Sequence, residues 1–169
     1  MHETCIREAE IVPDSDLDKT DRKILALLQD DARLTNNDIA ERIHLSPSQC
    51  SRRRARLERD GLIAGYHARI DGEKAGFGLV NFISVTLSTH NRNNAARFAE
   101  LMARLPEVQE AHALTGEMDY ILRVVTRDLR GLSDFVNETL LPHEAVQNVK
   151  TSIVLQTLKD TSALPLDDS

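Results

Sequence analysis

The feature that most constrains this chain is a pair of short amphipathic patterns within residues 34–61, separated by a tight turn. In the first pattern Ile39 and Ile43 recur at helical spacing, and in the second Cys50 and Leu57 lie two turns apart on one stripe. Each apolar stripe needs a core to pack against, and the turn is too short to keep the two helices apart. The spacing therefore predicts a helix-turn-helix.

Both predicted helices begin with a start signal. Thr35 is followed three residues later by Asp38, and Ser46 directly precedes Pro47. A capping side chain and a proline at the first helical position are typical of helix N-termini. A helix-turn-helix of this kind places its second helix in the major groove of DNA, so the pattern indicates DNA binding.

Charge is distributed unevenly along the chain. The net charge of −6 argues at first sight against a nucleic-acid partner, but the distribution of charge decides the matter. Residues 44–70 carry six arginines against two acidic residues, whereas residues 71–169 carry nine basic and fourteen acidic residues. The acidic remainder would repel DNA and confine it to the basic element.

Around this motif the sequence predicts a winged helix-turn-helix domain over residues 17–70. A first helix over 17–30 has Asp18 as its capping residue, and residues 62–70 have the pattern of a short hairpin, the wing. The glycine-rich, charged stretch 71–78 is the predicted hinge between two domains.

Residues 79–159 follow a different pattern, with strands and helices in the order βαββαβ. The predicted strands cover 79–88, 108–114, 120–126 and 146–158, and the predicted helices cover 93–105 and 129–141. This order predicts an α+β, ferredoxin-like sandwich with both helices on one face of the sheet. Residues 1–16 are expected to form a disordered tail and residues 160–169 a second tail.

Several function classes are disfavoured by what the sequence lacks. Cys5 and Cys50 lie far apart without CxxC spacing, so neither a metal site nor a disulfide framework is expected. The chain shows no HExxH motif, P-loop or serine-centred elbow, so we expect no enzyme and no cofactor. Without a signal peptide or a membrane-spanning apolar stretch, a cytoplasmic protein is expected.

Four motifs in this order resemble the Lrp/AsnC (feast/famine) family of bacterial and archaeal transcription regulators, over about Leu17 to Lys159. They read LDKTDRKILALLQDDAR, IAERIHLSPSQC, RLERDGLIAGY and LTGEMDYILRV. The resemblance implies homodimers that pair through the βαββαβ (RAM, or AsnC-type) domain and stack into tetramers or octamers. It also implies small effectors, commonly amino acids, bound in that domain.

The outer face of the second helix carries the predicted DNA contacts. Residues near the start of such a helix approach base edges, so we expect Ser48, Gln49 and Arg52 to read bases and Arg56 and Arg59 to bind phosphates. With the N-cap, the wing and a further arginine, the full set is Ser46, Ser48, Gln49, Arg52, Arg53, Arg56, Arg59 and Arg69. Two such helices on a symmetric dimer should read a palindromic operator in double-stranded DNA.

Two further predictions concern residues on the inner stripe of this helix. Cys50 is interpreted as a small core residue rather than a redox sensor. Arg54 lies four residues after Cys50, so its stem is expected to pack while its guanidinium reaches the edge of the domain.

The segment 115–120 offers the complements of an amino acid. A bend at Gly116 brings backbone N–H groups towards a carboxylate, and Glu117 and Asp119 supply acidic groups for an ammonium. The alternative is a plain hairpin turn, in which Asp119 holds the loop by accepting backbone N–H bonds.

The resemblance places the glycine and aspartate of the family's G-x-x-D-Y motif on Gly116 and Asp119, at an effector site formed where dimers meet. It places other effector-linked positions on His112, Thr151 and Ser152. The full predicted effector set is His112, Thr115, Gly116, Glu117, Met118, Asp119, Tyr120, Thr151 and Ser152. Two alternatives stay open: a regulator or architectural protein of the same fold without an amino-acid effector, and a protein-interaction module that uses the winged helix.

Overall fold

A computed structural model describes residues 17–88 and 92–166 of the chain. The expected disordered tail over residues 1–16, which includes Cys5, lies outside the described residues, as do the last three positions of the second tail. The chain separates into a helical unit and a sheet unit. Within the described residues, the helical unit contains 17–69 and 159–166, and the sheet unit contains the described part of Ile70–Leu158.

Three helices form the helical unit, and each begins at a side-chain cap. They are α1 (Lys19–Asp30), α2 (Asn36–Ile43) and α3 (Pro47–Arg59). Asp18 Oδ1 accepts the Asp21 N–H at 2.8 Å at the start of α1. At α2 and α3 the side chain of the cap residue accepts the backbone N–H of the third helical residue, whose own side chain accepts the backbone N–H of the cap residue. Each of these two helices therefore begins with a capping box. The predicted caps at Asp18, Thr35 and Ser46 are confirmed.

The core of the helical unit forms where the apolar stripes of the three helices meet. Its buried members are Ile24, Leu28, Leu34, Ile39, Ala40, Cys50 and Leu57. Cys50 is fully buried, which confirms its interpretation as a core residue. Cys50 and Leu57 pack one face of α3 into this core, so the opposite face of the helix is turned to solvent.

The hairpin expected over residues 62–70 is absent: these residues form no strand pair. The chain instead folds back on α3, where the Ile63 N–H bonds the Leu57 carbonyl at 3.0 Å and the Tyr66 hydroxyl bonds Glu58 at 2.7 Å. Contacts with α3 therefore hold the backbone in place of the cross-strand bonds that a hairpin would make.

Four antiparallel strands form the sheet unit in the spatial order β2-β3-β1-β4. The strands are β1 (Leu79–Leu87), β2 (Val108–Ala113), β3 (Tyr120–Thr126) and β4 (Val146–Ile153). Between them lie α4 (Arg92–Arg104) and α5 (Leu129–Asp134), the latter continuing as a π-helical turn over Phe135–Leu140. The predicted βαββαβ order is confirmed.

One face of this sheet is covered by both helices. Ile83 and Val85 on β1 and Leu122 on β3 are fully buried in one cluster with Phe98 of α4 and Phe135 of the π-helical turn. Strand residues two apart point to the same face, so both helices pack on a single side, as expected. The opposite face leaves side chains such as Phe82 exposed.

Two elements in the sheet unit differ from the prediction by more than a shift of one residue at an end. The strand expected to run to residue 158 ends at Ile153, because β1 is its only partner among the described residues. The last bond between them, from Val154 N–H to the Val80 carbonyl, lies near the start of β1. The helix expected over 129–141 changes to π geometry at Phe135. Helical periodicity cannot separate α from π winding over six residues.

Candidate functional site

The solvent-facing side of α3 begins with three polar residues, of which two are engaged in the helix cap. Ser46 donates its backbone N–H to Gln49 Oε1 at 3.1 Å, and the hydroxyls of Ser46 and Ser48 lie 3.1 Å apart. Arg52, one turn further on, is exposed and has no ion-pair partner among the described residues. The amide oxygen of Gln49 is therefore committed to the cap, while Arg52 is the arginine of α3 with its charge fully available.

Two other predicted DNA contacts turn one edge inward. Arg53 donates from Nη1 to Asp21 Oδ1 at 2.9 Å and to Asp18 Oδ2 at 2.6 Å. Arg56 donates from Nη2 to the other oxygen of Asp21. The carboxylate of Asp21 is fully buried, whereas the Arg56 side chain stays 42% exposed. Arg53 and Arg56 are thus joined to α1 and still reach solvent.

Arg54 follows the geometry expected of an inner-stripe arginine. It is half-buried, donates from Nη1 to the Leu34 carbonyl at 3.0 Å, and lies 4.8 Å from the centre of the Tyr66 ring. Its Nε also donates to the Tyr66 hydroxyl at 2.9 Å. Burial, followed by the bond to Glu58, raises the pKa of Tyr66. Arg54 therefore stabilises the segment after α3, which has no hairpin of its own.

The two remaining predicted phosphate contacts have exposed acidic neighbours. Arg59 Nε lies 3.2 Å from Asp60 Oδ1, with both side chains largely in solvent. Arg69 Nη2 lies 2.6 Å from Asp160 Oδ2, in the returning C-terminal segment of the helical unit. That segment is also held by α1, because the Gln29 amide and the Leu164 backbone exchange two hydrogen bonds of 3.2 and 2.7 Å.

In the sheet unit, the loop from Thr115 to Asp119 is fixed by its last residue. Asp119 Oδ2 accepts the Leu87 N–H at 2.7 Å, and the Asp119 N–H bonds the Val85 carbonyl at 3.1 Å. Gly116 has a φ of +124°, a conformation that glycine adopts readily and other residues rarely do. The carboxylate of Asp119 thus bonds backbone, as the hairpin-turn alternative expected, and leaves the loop tip exposed.

The other members of the predicted effector set lie on two opposite edges of the sheet. His112 is on edge strand β2, where its Nε2 lies 3.3 Å from Glu110 Oε2. Thr151 and Ser152 are on edge strand β4, paired with Ile83 and Phe82 of β1. Three inter-strand spacings separate β2 from β4, or about 14 Å. One chain therefore does not bring these residues together around a single small molecule.

Sequence reasoning missed Asp21 and Asp160 as partners of the predicted DNA-binding arginines. For Asp21 a signal exists, because Asp21, Ile24 and Leu28 share the inner face of α1. A carboxylate on that face needs a cationic partner, and the arginine-rich α3 supplies two. No comparable signal exists for Asp160, since more than ninety positions separate it from Arg69.

Two negative findings apply to residues 17–88 and 92–166. No helix there has the length and apolarity needed to cross a bilayer. No group of three or more histidine, cysteine or acidic side chains is arranged to hold a metal ion in the same part of the chain.

Known families match both units of the chain. A family model for the Lrp/AsnC ligand binding domain matches residues 80–164, and a model for winged helix-turn-helix DNA-binding matches residues 17–64. The chain is 36% identical to the transcriptional regulator AzlB of Bacillus subtilis, over 90% of this chain and 97% of that protein. It is 40% identical to the leucine-responsive regulatory protein of Rhizobium meliloti, over 86% of this chain and 93% of that protein.

Solved structures match along most of their length. A transcriptional regulator of Neisseria meningitidis in complex with L-Met gives a TM-score of 0.86 at 43% identity, covering 89% of this chain and 97% of that chain. An AsnC family transcriptional regulator from Agrobacterium tumefaciens gives a TM-score of 0.84 at 33% identity, again covering 89% of this chain and 97% of that chain.

Proposed function

The chain belongs to the Lrp/AsnC family of DNA-binding transcriptional regulators with a ligand-binding domain, and from this premise we propose that an amino acid bound in the sheet unit changes its affinity for a palindromic operator. The regulator works in the cytoplasm, where its DNA lies. The DNA-binding part of this proposal rests on the orientation of α3, whose Cys50–Leu57 stripe is buried and whose opposite face presents Arg52.

Within this face, base reading and phosphate binding fall to different residues. Arg52 has a free guanidinium near the helix start, with the geometry to fork onto guanine O6 and N7. Ser48 and Gln49 lie in the preceding turn of the same helix. The cap occupies the side-chain oxygen of Gln49 and leaves its amide NH2 group for a base. Arg53, Arg56 and Arg59 then contact phosphates, which fix register without reading sequence.

The effector half rests on the exposed loop tip of the sheet unit. Thr115–Met118 offers backbone N–H groups at a bend to a carboxylate, and Glu117 offers a counter-charge to an ammonium. Asp119 supports this site by fixing the loop to β1 through the Leu87 N–H. The relative from Neisseria meningitidis, solved with L-Met, supports an amino acid as the effector class.

A complete effector site needs a second copy of the chain. His112 and the pair Thr151 and Ser152 occupy opposite sheet edges, so one ligand meets both groups only where two sheet units adjoin. We therefore propose a homodimer that assembles further to a tetramer or octamer. Ligand binding at such a junction biases the oligomeric state, and a coupling of about 1–3 kcal/mol changes operator occupancy severalfold or more.

The test is the melting temperature of the protein with each of the twenty amino acids at millimolar concentration. A ligand at 100 times its Kd adds about 2.7 kcal/mol of stability, which raises the melting temperature visibly. We expect a selective shift for one or a few amino acids, its loss in Asp119→Ala, and its retention in Glu138→Ala, which removes an exposed carboxylate outside the loop. No shift with any amino acid would contradict the effector half and leave DNA binding standing.

A further inference from the structure

Asp21 is a fully buried carboxylate in the helical unit that no part of the proposed function uses. It lies in the first turn of α1, beside the core residues Ile24 and Leu28. Burying a charged group away from water is costly unless it is paired and hydrogen-bonded. Something in the unit must therefore neutralise Asp21, and the pairing partners are the arginines of α3.

The pairing follows matched helical spacing on the two helices. Asp18 and Asp21 lie three residues apart at the start of α1, and Arg53 and Arg56 lie three residues apart on α3. Arg53 bridges both carboxylates, at 2.6 and 2.9 Å, while Arg56 takes the second oxygen of Asp21. The bond from the Asp21 N–H, and then the bond from Arg53, lower the pKa of Asp18. The lowered pKa keeps the Asp18 carboxylate ionised at neutral pH, where it pairs with Arg53.

The exposure of the two arginines shows what the network leaves free. A guanidinium has five N–H donors in one plane. Arg56 gives one nitrogen to Asp21 and keeps 42% of its side chain exposed, and Arg53 keeps 27%. Each guanidinium is thus held at one terminal nitrogen by the buried Asp21 carboxylate, and its other two nitrogens, here called its outer edge, bond neither Asp18 nor Asp21.

We propose that Asp21 is a positioning residue for DNA binding, which holds the guanidinium groups of Arg53 and Arg56 in place so that their outer edges meet phosphates without further ordering. Resting on the proposed function of α3, this role adds a residue on a different helix that contacts no DNA itself. A long side chain that is already ordered loses less entropy on binding, which raises affinity without adding a contact. Phosphates also favour guanidinium groups because both can form two parallel hydrogen bonds.

The first test is Asp21→Asn, which keeps the size of the side chain and removes its charge. Binding to a duplex containing an operator selected from random sequence should weaken about tenfold, because the entropic cost of ordering two arginine side chains is now met on binding. Asp30→Asn is the matched control, since it makes the same change at an exposed carboxylate at the end of α1 and should leave affinity unchanged.

A double-mutant cycle with Arg56→Gln separates positioning from a merely structural role. If Asp21 acts through Arg56, the loss caused by Asp21→Asn shrinks severalfold once Arg56→Gln is present. Equal losses in both backgrounds, no loss, or tighter binding after Asp21→Asn would each overturn the proposal. All affinities refer to protein shown to be folded by circular dichroism.

A second variant covers the case in which Asp21→Asn does not fold. Arg56→Lys keeps the positive charge at a partly exposed position but replaces the planar fork by a single ammonium. We expect several-fold weaker operator binding with this variant. Unchanged affinity would mean that charge alone suffices and that Asp21 positions nothing. Failure of the wild-type protein to bind any duplex is a different result, which would remove the proposed function itself.

Discussion

One aspartate organises each candidate site, but the two aspartates bond different partners. In the helical unit, the buried carboxylate of Asp21 bonds the side chains of Arg53 and Arg56. In the sheet unit, the half-buried carboxylate of Asp119 bonds the backbone N–H of Leu87. The first arrangement fixes charges on a surface, as contact with a polyanion requires. The second fixes the path of a loop, as a small ligand requires.

The largest expected effect on DNA affinity comes from Arg52, which is bonded to neither Asp21 nor Asp119. Arg52→Ala should weaken binding to the selected operator by about ten- to a hundredfold, because one bidentate contact to a base discriminates by about 1–3 kcal/mol. Random-sequence duplex should lose far less. Competition binding on both duplexes checks this, with Arg104→Ala, an exposed arginine of the sheet unit, as the control. Equal losses on both duplexes would make Arg52 a phosphate anchor instead.

The next effect tests whether Asp119 acts on the backbone. Asp119→Ala leaves the Leu87 N–H without its acceptor, which should lower the free energy of unfolding by about 1–2 kcal/mol. Asp119→Asn should recover part of this loss, because its amide oxygen can still accept that bond. Urea unfolding measures both, with Glu117→Ala as a control expected to stay within about 0.5 kcal/mol. If both Asp119 variants match the wild type, the bond contributes nothing.

A smaller effect is expected where the C-terminal segment neutralises an arginine. Asp160→Asn removes the carboxylate charge beside Arg69, so DNA binding at low salt should tighten severalfold at most, since exposed ion pairs are worth about 0–1 kcal/mol. The slope of log affinity against log salt should steepen by up to about one unit, the value for one phosphate contact. In an Arg69→Ala background, Asp160→Asn should leave DNA affinity unchanged. A gain in affinity that persists there would show that Asp160 acts by general electrostatic repulsion of DNA.

The smallest effect is a pH dependence confined to the sheet unit. Burial, followed by the charge of Arg97, lowers the pKa of His143 below its usual value. The unfolded chain therefore binds a proton at a higher pH than the folded one, so this contribution is complete above about pH 6.5 and is lost as pH falls through the folded pKa. Melting temperatures between pH 8 and 5 should fall less in His143→Gln than in the wild type. Identical profiles of melting temperature against pH in the two proteins would contradict the assignment of this pH dependence to His143.

The parts of the fold that follow from the sequence are those set by neighbouring residues. The capping boxes at Thr35 and Ser46 close within four residues, and the alternation in β1 and β3 fixes which side chains meet the helices. The hairpin expected over residues 62–70 was wrong for the opposite reason. Whether residues 62–70 pair with each other depends on competition from α3, whose Glu58 and Leu57 capture the segment.

The candidate DNA interface was predictable as a surface but not as a set of contacts. Helical periodicity placed Arg52, Arg56 and Arg59 on the outer side of α3, while the division of its arginines into free and paired groups depends on Asp21, more than thirty residues away. The effector positions show the same limit. The loop is local, whereas the separation of His112 from Thr151 depends on the order of the strands across the whole sheet.

The most direct test measures operator affinity across a salt series, with and without the amino acid that raises the melting temperature. We expect log affinity to fall linearly with log salt, by about 0.9 for each phosphate contacted, and the bound amino acid to shift affinity severalfold at fixed salt. An operator affinity that does not change with salt would contradict the DNA interface on α3. An operator affinity that does not change with the amino acid would contradict the coupling between ligand binding in the sheet unit and DNA binding.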